Sequence, residues 1–470
     1  MLKKLCRWTL IGLTVLAVVV AVFYADENWR GKHAWETYRR AREAQGDSFE
    51  WSSVVPPPVP DNENFATTPL FAELFPKPPE HPRLDAAKLP DCWKAYGNWN
   101  VGRMEDLAAW QVCFTNSDLL AALATYEPIL REVAEASHRP KCRFPIRYED
   151  NSAARIPHLS PLRNLTRIYR LRALVELSAG QTDAALKDVQ TCLRLADTVK
   201  DEPVLISFLV RYAILDLASQ PIWEGLAAHR WNKSQLEVLH AEFEKMDQFR
   251  PLQLAIAGER LRNHHDIRMA SRHPQGFLAL LTHGNLLAGE KGSWLDRAIP
   301  SGWFYQNALT VDRFYTETYL PAVDWERRVI NPQVFKQVDQ TCKTLHTTPY
   351  NIFYKLFVPG MPTVAKRAAW SQTSVDKTAV ACALERYRLV RGEYPEKLDV
   401  LVPEFIAKIP NDVIDGQPLR YRRTGNDEFV LYSIGWNETD DGGEIALQSG
   451  ECWRQDLDRG DWVWFSSPQP

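Results

Sequence analysis

Residues Trp8–Ala25 form a run of eighteen residues without a charged side chain. At ~1.5 Å rise per residue, a helix of this length nearly spans the hydrocarbon core of a bilayer. Three of the first seven residues are basic, and a basic flank stays in the cytoplasm under the positive-inside rule. The sequence therefore predicts a cytoplasmic tail at 1–7, a transmembrane anchor at 8–25 and an extracytoplasmic location for the rest of the chain.

A cleaved signal peptide is the alternative interpretation of the same segment. Val19-Val20-Ala21 is an acceptable cleavage site, but the apolar run continues to Tyr24. The apolar core of a signal peptide is shorter than a membrane span. The length of the run therefore favours an uncleaved, single-pass signal-anchor.

The composition of the 470-residue chain is that of a globular protein, with 45% apolar and 24% charged residues. A formal net charge of −3 gives no basis for nucleic-acid binding, so we expect no nucleic-acid partner. The eight cysteines include no CxxC pair, which argues against a zinc site built from cysteine pairs. Disulfides between Cys92, Cys113 and Cys142 are possible, but spacing alone does not assign the pairing.

Residues 26–90 are predicted to form a stalk followed by a proline-rich strap. Residues 28–50 have helical spacing with Gly46 as a stop, and Pro56-Pro57-Pro58-Val59-Pro60 keeps the next stretch non-helical. Such a segment either docks into a proline-binding groove of a partner or serves as a stiff spacer laid over the head. We favour the spacer.

Residues 91–360 are predicted to form an irregular α-helical domain, because apolar residues recur there at helical spacing. One hairpin stands out, with apolar and small residues at 171–177 and 184–196 on either side of Gly180. It resembles a single tetratricopeptide-type unit, and a solenoid needs about three stacked units to bury its faces. A concave peptide-binding face is an open alternative.

No catalytic motif accompanies these helices. A helix at Pro251–Arg272 contains Glu259, His264 and His265, but adjacent histidines point ~100° apart on a helix, unlike the i, i+4 pair of a zinc protease. We therefore expect surface or hydrogen-bonded histidines. Ser374-Val375-Asp376-Lys377 has SxxK spacing without the partner motifs that give it meaning, and we interpret it as chance.

Residues 361–470 are predicted to form a C-terminal α+β module. A helical run, Val375–Arg391, ends at Gly392, which is a typical residue just past a helix C-terminus. Gln417–Arg423 alternates apolar and basic residues, and the apolar run 429–432 follows a turn, as in a β-hairpin. The overall expectation is a mainly α protein with an N-terminal transmembrane helix and this α+β module.

The C-terminal module resembles the periplasmic head of the major pseudopilin of type II secretion, over roughly a fifth of the chain. The order and spacing of several short motifs agree with that family. They are Ala383-Leu384-Glu385-Arg386-Tyr387, Gly392-Glu393-Tyr394-Pro395, Ile409-Pro410-Asn411-Asp412, Pro418-Leu419-Arg420-Tyr421, Phe429-Val430-Leu431-Tyr432-Ser433-Ile434-Gly435 and Asp441-Gly442-Gly443. The whole chain also resembles an uncharacterised group of membrane-anchored bacterial proteins. Both resemblances imply the bacterial inner membrane, with the bulk of the chain in the periplasm.

The resemblance to the pseudopilin head implies a calcium site in the loop after the second strand. By position, main-chain oxygens and side-chain oxygens would come from Leu431, Ser433, Asn437, Asp440, Asp441 and Asp461. Calcium takes six to eight oxygen ligands, and an oxygen-rich loop of small residues suits it. Asn437 replaces the family's first aspartate and removes one negative charge. An Asx-rich turn without an ion is the alternative.

Other features depart from the pseudopilin pattern. A pseudopilin joins its apolar segment directly to the head helix, whereas here ~350 residues separate them and no Gly-Phe cleavage site precedes the apolar run. We therefore expect a membrane-anchored, non-catalytic binding or scaffold protein, with envelope or secretion-machinery proteins as partners. The alternatives are an envelope hydrolase acting on peptide or glycan, with Glu259 near His264 or His265 in a deep pocket, and an atypical pseudopilus component.

Overall fold

The computed structural model describes residues 2–75, 115–272, 298–425, 427–447 and 455–464. Within these ranges the chain is mostly helical, with a few small antiparallel sheets and a long apolar helix at the N-terminus. The mainly α fold class is thereby confirmed. Cys92, Cys113 and the predicted strap beyond residue 75 lie outside the described residues.

Helices make up most of the described chain. Their bounds are α1 (Leu2–Ala44), α2 (Pro69–Ala72), α3 (Asn116–Ala124), α4 (Glu127–Ala136), α5 (Leu159–Ser178), α6 (Thr182–Asp197), α7 (Leu205–Ala227), α8 (Lys233–Glu244), α9 (Phe249–Arg272), α10 (Ser301–Arg313), α11 (Pro332–Thr344), α12 (Ile352–Phe357) and α13 (Met361–Arg391). A π-helical turn, Phe314–Tyr319, continues α10.

Helix α1 joins the predicted anchor and the predicted stalk helix in one element of 43 residues. Nothing in the sequence between Ala25 and Trp35 breaks it, because this stretch holds no proline and its one glycine, Gly31, is tolerated inside a helix. The helix ends at Ala44, two residues before Gly46, the predicted stop, which has a φ of 93°.

The hairpin of α5 and α6 turns at Gly180, which has a φ of 78° that suits glycine. Helix α7 packs against both α5 and α6, so the three helices share one core. Arg172 of α5 donates to both carboxylate oxygens of Asp188 of α6 at 2.7 Å. A bidentate pair of this kind fixes the register of the two helices.

Helix α13 lies in the middle of the C-terminal half of the chain. It begins at Met361, fourteen residues before the predicted start at Val375, because the small residues Ala365, Ala368 and Ala369 continue the same buried face. Its sides contact α7, α8, α11 and the terminal sheet. Gly392 ends it with a φ of 86°.

The terminal sheet joins β3 (Arg420–Arg423), β4 (Phe429–Ser433) and β7 (Trp462–Trp464) in that order and is antiparallel throughout. The pairing of Tyr421 with Leu431, and of Leu431 with Trp464, sets its register. Strands β3 and β4 form the hairpin that the alternation predicts, although β3 begins at Arg420 rather than Gln417. The strands are β1 (Val323–Asp324), β2 (Val329–Ile330), β3 (Arg420–Arg423), β4 (Phe429–Ser433), β5 (Ile445–Leu447), β6 (Gln455–Gly460) and β7 (Trp462–Trp464).

Candidate functional site

The N-terminal half of α1 is an apolar surface that the described residues leave uncovered. Leu5, Trp8 and Val22 are 70%, 71% and 62% exposed. Within the described ranges, α1 and α7 are the helices long and apolar enough to cross a membrane. The apolar window of α7 is half buried among its neighbours, as in the core helix of a globular domain. The apolar part of α1 is thus a candidate membrane anchor or signal sequence.

The C-terminal half of α1 packs along α10 at a close crossing of two glycines. A Cβ atom on Gly31 would lie 2.3 Å from the carbonyl oxygen of Gly302, so only glycine fits there. Asn28 Oδ1 accepts hydrogen bonds from the Gly302 amide and the Ser301 hydroxyl, each at 3.0 Å. Glu27 Oε2 accepts from Trp303 Nε1 at 3.0 Å. We name this set of contacts the dock.

Polar side chains beyond the dock continue the contact between α1 and the rest of the described chain, which we name the body. Tyr38 donates to Asp312 at 2.9 Å, and Arg260 donates to both oxygens of Asp312 at 2.7 and 2.9 Å. Burial raises the pKa of Tyr38 to about 12, so this hydroxyl stays protonated and remains a donor at neutral pH. Arg260 also lies 3.0 Å from Asp47, just after the end of α1. The helix that leaves the apolar segment is therefore held over several turns.

Five of the six residues of the predicted calcium site lie in β4 and in the loop that follows it, and Asp461 lies beside this loop. Leu431 pairs with strands on both sides, so its backbone groups face the neighbouring strands. The Ser433 side chain donates to the buried Asp412 at 2.8 Å. Asp461 reaches the loop from the start of β7 and is 1% exposed.

Hydrogen bonds within this loop occupy its carboxylates. Asp461 accepts from the backbone amides of Asp441 at 3.3 Å and Gly443 at 2.6 Å. Asn437 Nδ2 donates to Asp441 at 2.9 Å, and the Tyr432 hydroxyl donates to Asp440 at 3.1 Å. No group of three His, Cys, Asp or Glu side chains suited to a metal occurs in the ranges that the structure describes. Calcium binding stays a prediction, and it requires Asp441 and Asp461 to exchange amide donors for the ion.

The expectation of surface or hydrogen-bonded histidines is confirmed only in part, by a hydrogen bond between His265 and the backbone of Phe49. Both side chains are largely covered, and within the described residues neither His264 Nδ1 nor His265 Nε2 has a hydrogen-bond partner. His264 stacks on Trp35 of α1 with ring centroids 4.9 Å apart, and His265 stacks on Trp51 at 6.3 Å. Burial lowers the pKa of His264 to about 3, with help from the charge of His265. The histidines serve as flat, neutral packing groups, His264 against Trp35 of α1 and His265 against Trp51 after it, which sequence spacing does not reveal.

Glu259 lines a cleft of about 240 Å³, whereas the two histidines do not. Both oxygens of Glu259 accept from Arg262, with Nε at 3.1 Å. Trp51 and Tyr148 line the same cleft, beside Asn151 with a strained φ of 53° and ψ of −121°. Glu259 is the only acid in the described lining of this cleft, so the convergent acids and histidine expected of a hydrolase do not meet there.

A second cleft, of about 330 Å³, lies between α6, α7, α8 and the start of α9. Sequence patterns gave no sign of it, because its charged residues come from four separate helices and the loops between them. Arg211 is 2% exposed and donates to Asp197 at 2.7 Å, and its Nε has no hydrogen-bond partner among the residues that the structure describes. Both basic and acidic side chains line the cleft: Arg194, Asp197, Lys200, Asp201, Arg211, Glu242, Lys245, Asp247 and Arg250. Such a lining suits a ligand that carries both charges.

Two charged residues of α13, Lys377 and Glu385, are buried, which their sequence motifs do not predict. Lys377 Nζ donates to the Trp462 carbonyl at 2.8 Å and lies 5.0 Å from the Trp370 ring. It thereby ties α13 to β7. Glu385 accepts from His229 at 2.9 Å and from Tyr394 at 2.6 Å, so it joins the loop after α7 to the C-terminal residues.

Comparison with known proteins assigns no function to these clefts and contacts. No family model, no curated protein and no solved structure matches the chain. The resemblance of the C-terminal module to the pseudopilin head therefore stays a prediction.

Proposed function

We propose that this chain is a single-pass membrane protein whose body is a non-catalytic binding or scaffold component of the bacterial envelope. The observation that carries the proposal is the continuity of α1, whose uncovered apolar half leads without a break into a half packed on α10. A freely mobile tether would leave the body independent of the membrane. Here the dock fixes the body to the anchor, which suits a component that presents surfaces at a defined height.

The side of the membrane follows from charge. The basic residues Lys3, Lys4 and Arg7 precede the apolar run, and the acidic pair Asp26 and Glu27 follows it. The positive-inside rule puts the body outside the cytoplasm, which in a bacterium of two membranes is the periplasm. A protease that reaches only the periplasm should then degrade the body in intact spheroplasts.

An insertion experiment tests the anchor. Leu16→Arg places a charge at the centre of the apolar run, which costs about 2.5–3.5 kcal/mol on the scale for insertion through the translocon. We expect the variant to move to the fraction that alkaline carbonate extracts, while the wild type stays with the membrane. Ile206→Arg, at an exposed position of α7, is the matched control and should stay with the membrane. Extraction of the wild-type protein would contradict the proposal.

The proposed partners are envelope proteins, including subunits of a type II secretion-like machine. The resemblance of the terminal module supports this, as does the single helical hairpin of tetratricopeptide type at α5 and α6. Crosslinking in the native membrane followed by mass spectrometry tests it. Recovery of secretion subunits would favour the machine-linked role, and prepilin-peptidase-dependent shortening of the N-terminus would favour the atypical pseudopilus component.

The hydrolase alternative has weaker support from the geometry of the described clefts. Arg262 engages both oxygens of Glu259, and a general acid or base needs a free oxygen or proton at the reacting bond. The aromatic lining of the Glu259 cleft and the mixed charges of the second cleft suit binding without bond cleavage.

A further inference from the structure

Two exposed tryptophans mark the ends of the apolar half of α1. Trp8 is 71% exposed and Trp29 is 67% exposed, in the same continuous helix. Their separation of twenty-one residues corresponds to ~31 Å at ~1.5 Å per residue, close to the ~30 Å thickness of a bilayer core. Tryptophan is enriched at both membrane interfaces, because its ring is amphipathic. The spacing therefore sets the level of the outer interface near Trp29.

The body begins at this same level. Helix α10 runs parallel to α1, since Gly31 lies beside Gly302 and Tyr38 lies beside Asp312 further along both helices. Tyr24, in the last turn of the apolar run, donates to the carbonyl oxygen of Ala298, just before α10. The first turn of α10 is thus the part of that helix closest to the membrane, and the helix leads away from it.

A loop that is distant in sequence reaches the same level. The Tyr350 hydroxyl lies 3.4 Å from Arg30 Nη2, and the Arg30 guanidinium lies 5.5 Å from the centre of the Tyr350 ring. Tyr350 also packs edge-on against Trp303, with ring centroids 6.2 Å apart. Asn307 of α10 holds the loop by donating to the Pro349 carbonyl at 2.7 Å. Trp29, Arg30, Trp303 and Tyr350 form what we name the rim.

We propose that the rim lies in the phospholipid headgroup layer, so that the body itself, and not the anchor alone, binds the lipid surface. The inference rests on the proposed anchoring. Trp29 and Arg30 lie ~6–8 Å beyond Ala25 along the helix, within the headgroup layer that adds ~5–8 Å to each side of the core. Tryptophan and tyrosine rings suit that layer, and Arg30 and Lys32, both about half exposed, suit lipid phosphates.

Photo-crosslinking of the full chain in native membranes tests the rim. p-Benzoylphenylalanine replaces Tyr350, or Leu16 within the anchor, or Glu317, whose side chain is 59% exposed beside α1. Glu317 adjoins Thr316, which contacts Tyr38, and Tyr38 lies ~20 Å beyond Ala25, clear of the headgroups. We expect phospholipid adducts from positions 350 and 16 and none from 317, as identified by intact mass.

The three positions separate the two proposals. Lipid adducts at 16 without lipid adducts at 350 would overturn the rim and leave the anchor in place. An adduct of a protein at 350 would do the same, because it would name a different occupant. Absence of lipid adducts at 16 would overturn the anchor and the rim together. Lipid adducts at 317 equal to those at 350 would also overturn the rim, since the labelling would not depend on height.

A fluorescence measurement tests the position of the rim independently, in case the label at position 350 disturbs folding. Spin-labelled phospholipid in nanodiscs quenches tryptophans that lie near the headgroups. Trp303→Phe should remove part of the quenched emission, whereas Trp231→Phe, at a position 2% exposed, should remove none. Equal loss of quenchable emission in both variants would contradict the proposed position of the rim.

Discussion

Gly302 lies so close to α1 that a methyl group on it would come within 1.9 Å of the Glu27 carbonyl oxygen. Real Cβ atoms essentially never approach another heavy atom below 3.0 Å, so any side chain there must push α1 and α10 apart. The same crossing holds Asn28 and Trp303 in their hydrogen bonds to the other helix. The coupling between α1 and α10 therefore depends on two residues without side chains, Gly31 and Gly302.

Gly302→Ala should weaken this coupling. Overpacking of a tight contact costs about 1–3 kcal/mol, and the separated helices also lose the bonds of Asn28 and Glu27. We expect a lower melting temperature in detergent and faster proteolysis just after the apolar run. Gly12→Ala and Gly360→Ala are matched controls, since nothing lies within 4 Å of either added methyl. Equal melting temperatures for Gly302→Ala and Gly360→Ala would contradict this account.

The dock could not be predicted from the sequence, because a single glycine in a helical pattern has no distinctive signal. Periodicity did predict the helical middle and the β3–β4 hairpin, since local spacing decides which face is buried. It did not predict how α1 meets α10, because Gly31 and Gly302 are 271 residues apart. Pairings of distant segments of this kind have no local pattern to detect.

The histidine pair and Lys377 show the same limit for candidate sites. His264 and His265 were expected at the surface or in hydrogen bonds because adjacent histidines on a helix do not form a metal pair, and only the packing of Trp35 and Trp51 on them shows that both rings are largely covered. Burial of a charged residue such as Lys377 contradicts its intrinsic preference, so only the surrounding structure reveals it.

Glu385 is expected to be one of the costliest residues to truncate. It is buried and accepts from Arg388, His229 and Tyr394. Removal of one partner from a buried charged network costs about 3–5 kcal/mol. Glu385→Ala should lower the free energy of unfolding by about that amount in urea denaturation. Glu393→Ala is the control, because its side chain is 57% exposed beside Arg423 and should cost at most about 1 kcal/mol.

The same carboxylate should give the protein an acid-sensitive stability. Burial alone would raise the pKa of Glu385, but the hydrogen bonds from Arg388, Tyr394 and His229 outweigh burial and hold it below 4.5. The folded state therefore binds this proton less tightly than the unfolded chain. Its contribution is present above pH 4.5 and is lost as the pH falls through the folded pKa. The stability gap between wild type and Glu385→Gln should narrow below pH 4.5, and a constant gap would contradict this.

Lys377 should give a pH dependence of the same sign as Glu385, but at neutral to alkaline pH. Burial lowers its pKa from 10.5 to about 7, and the charge of Asp412 only partly opposes this. Between these values the unfolded chain binds the proton and the folded chain does not, so stability rises with pH. Compared with Lys377→Met, the wild type should gain up to about 2–3 kcal/mol between pH 7 and pH 9. Parallel unfolding curves for the two proteins across this range would show that the buried amine does not titrate.

Calcium binding by the loop after β4 predicts a stability that depends on the ion. A ligand at 100 times its dissociation constant adds about 2.7 kcal/mol, so saturating calcium should raise the melting temperature of the full chain relative to chelator. Asp461→Asn should abolish this increase, because Asp461 is the buried carboxylate that faces the loop. Asp399→Asn, at an exposed position of the same module, should retain it. Equal melting temperatures of the wild type with calcium and with chelator would contradict calcium binding. The backbone amide hydrogen bonds to Asp461 would then hold the loop without an ion.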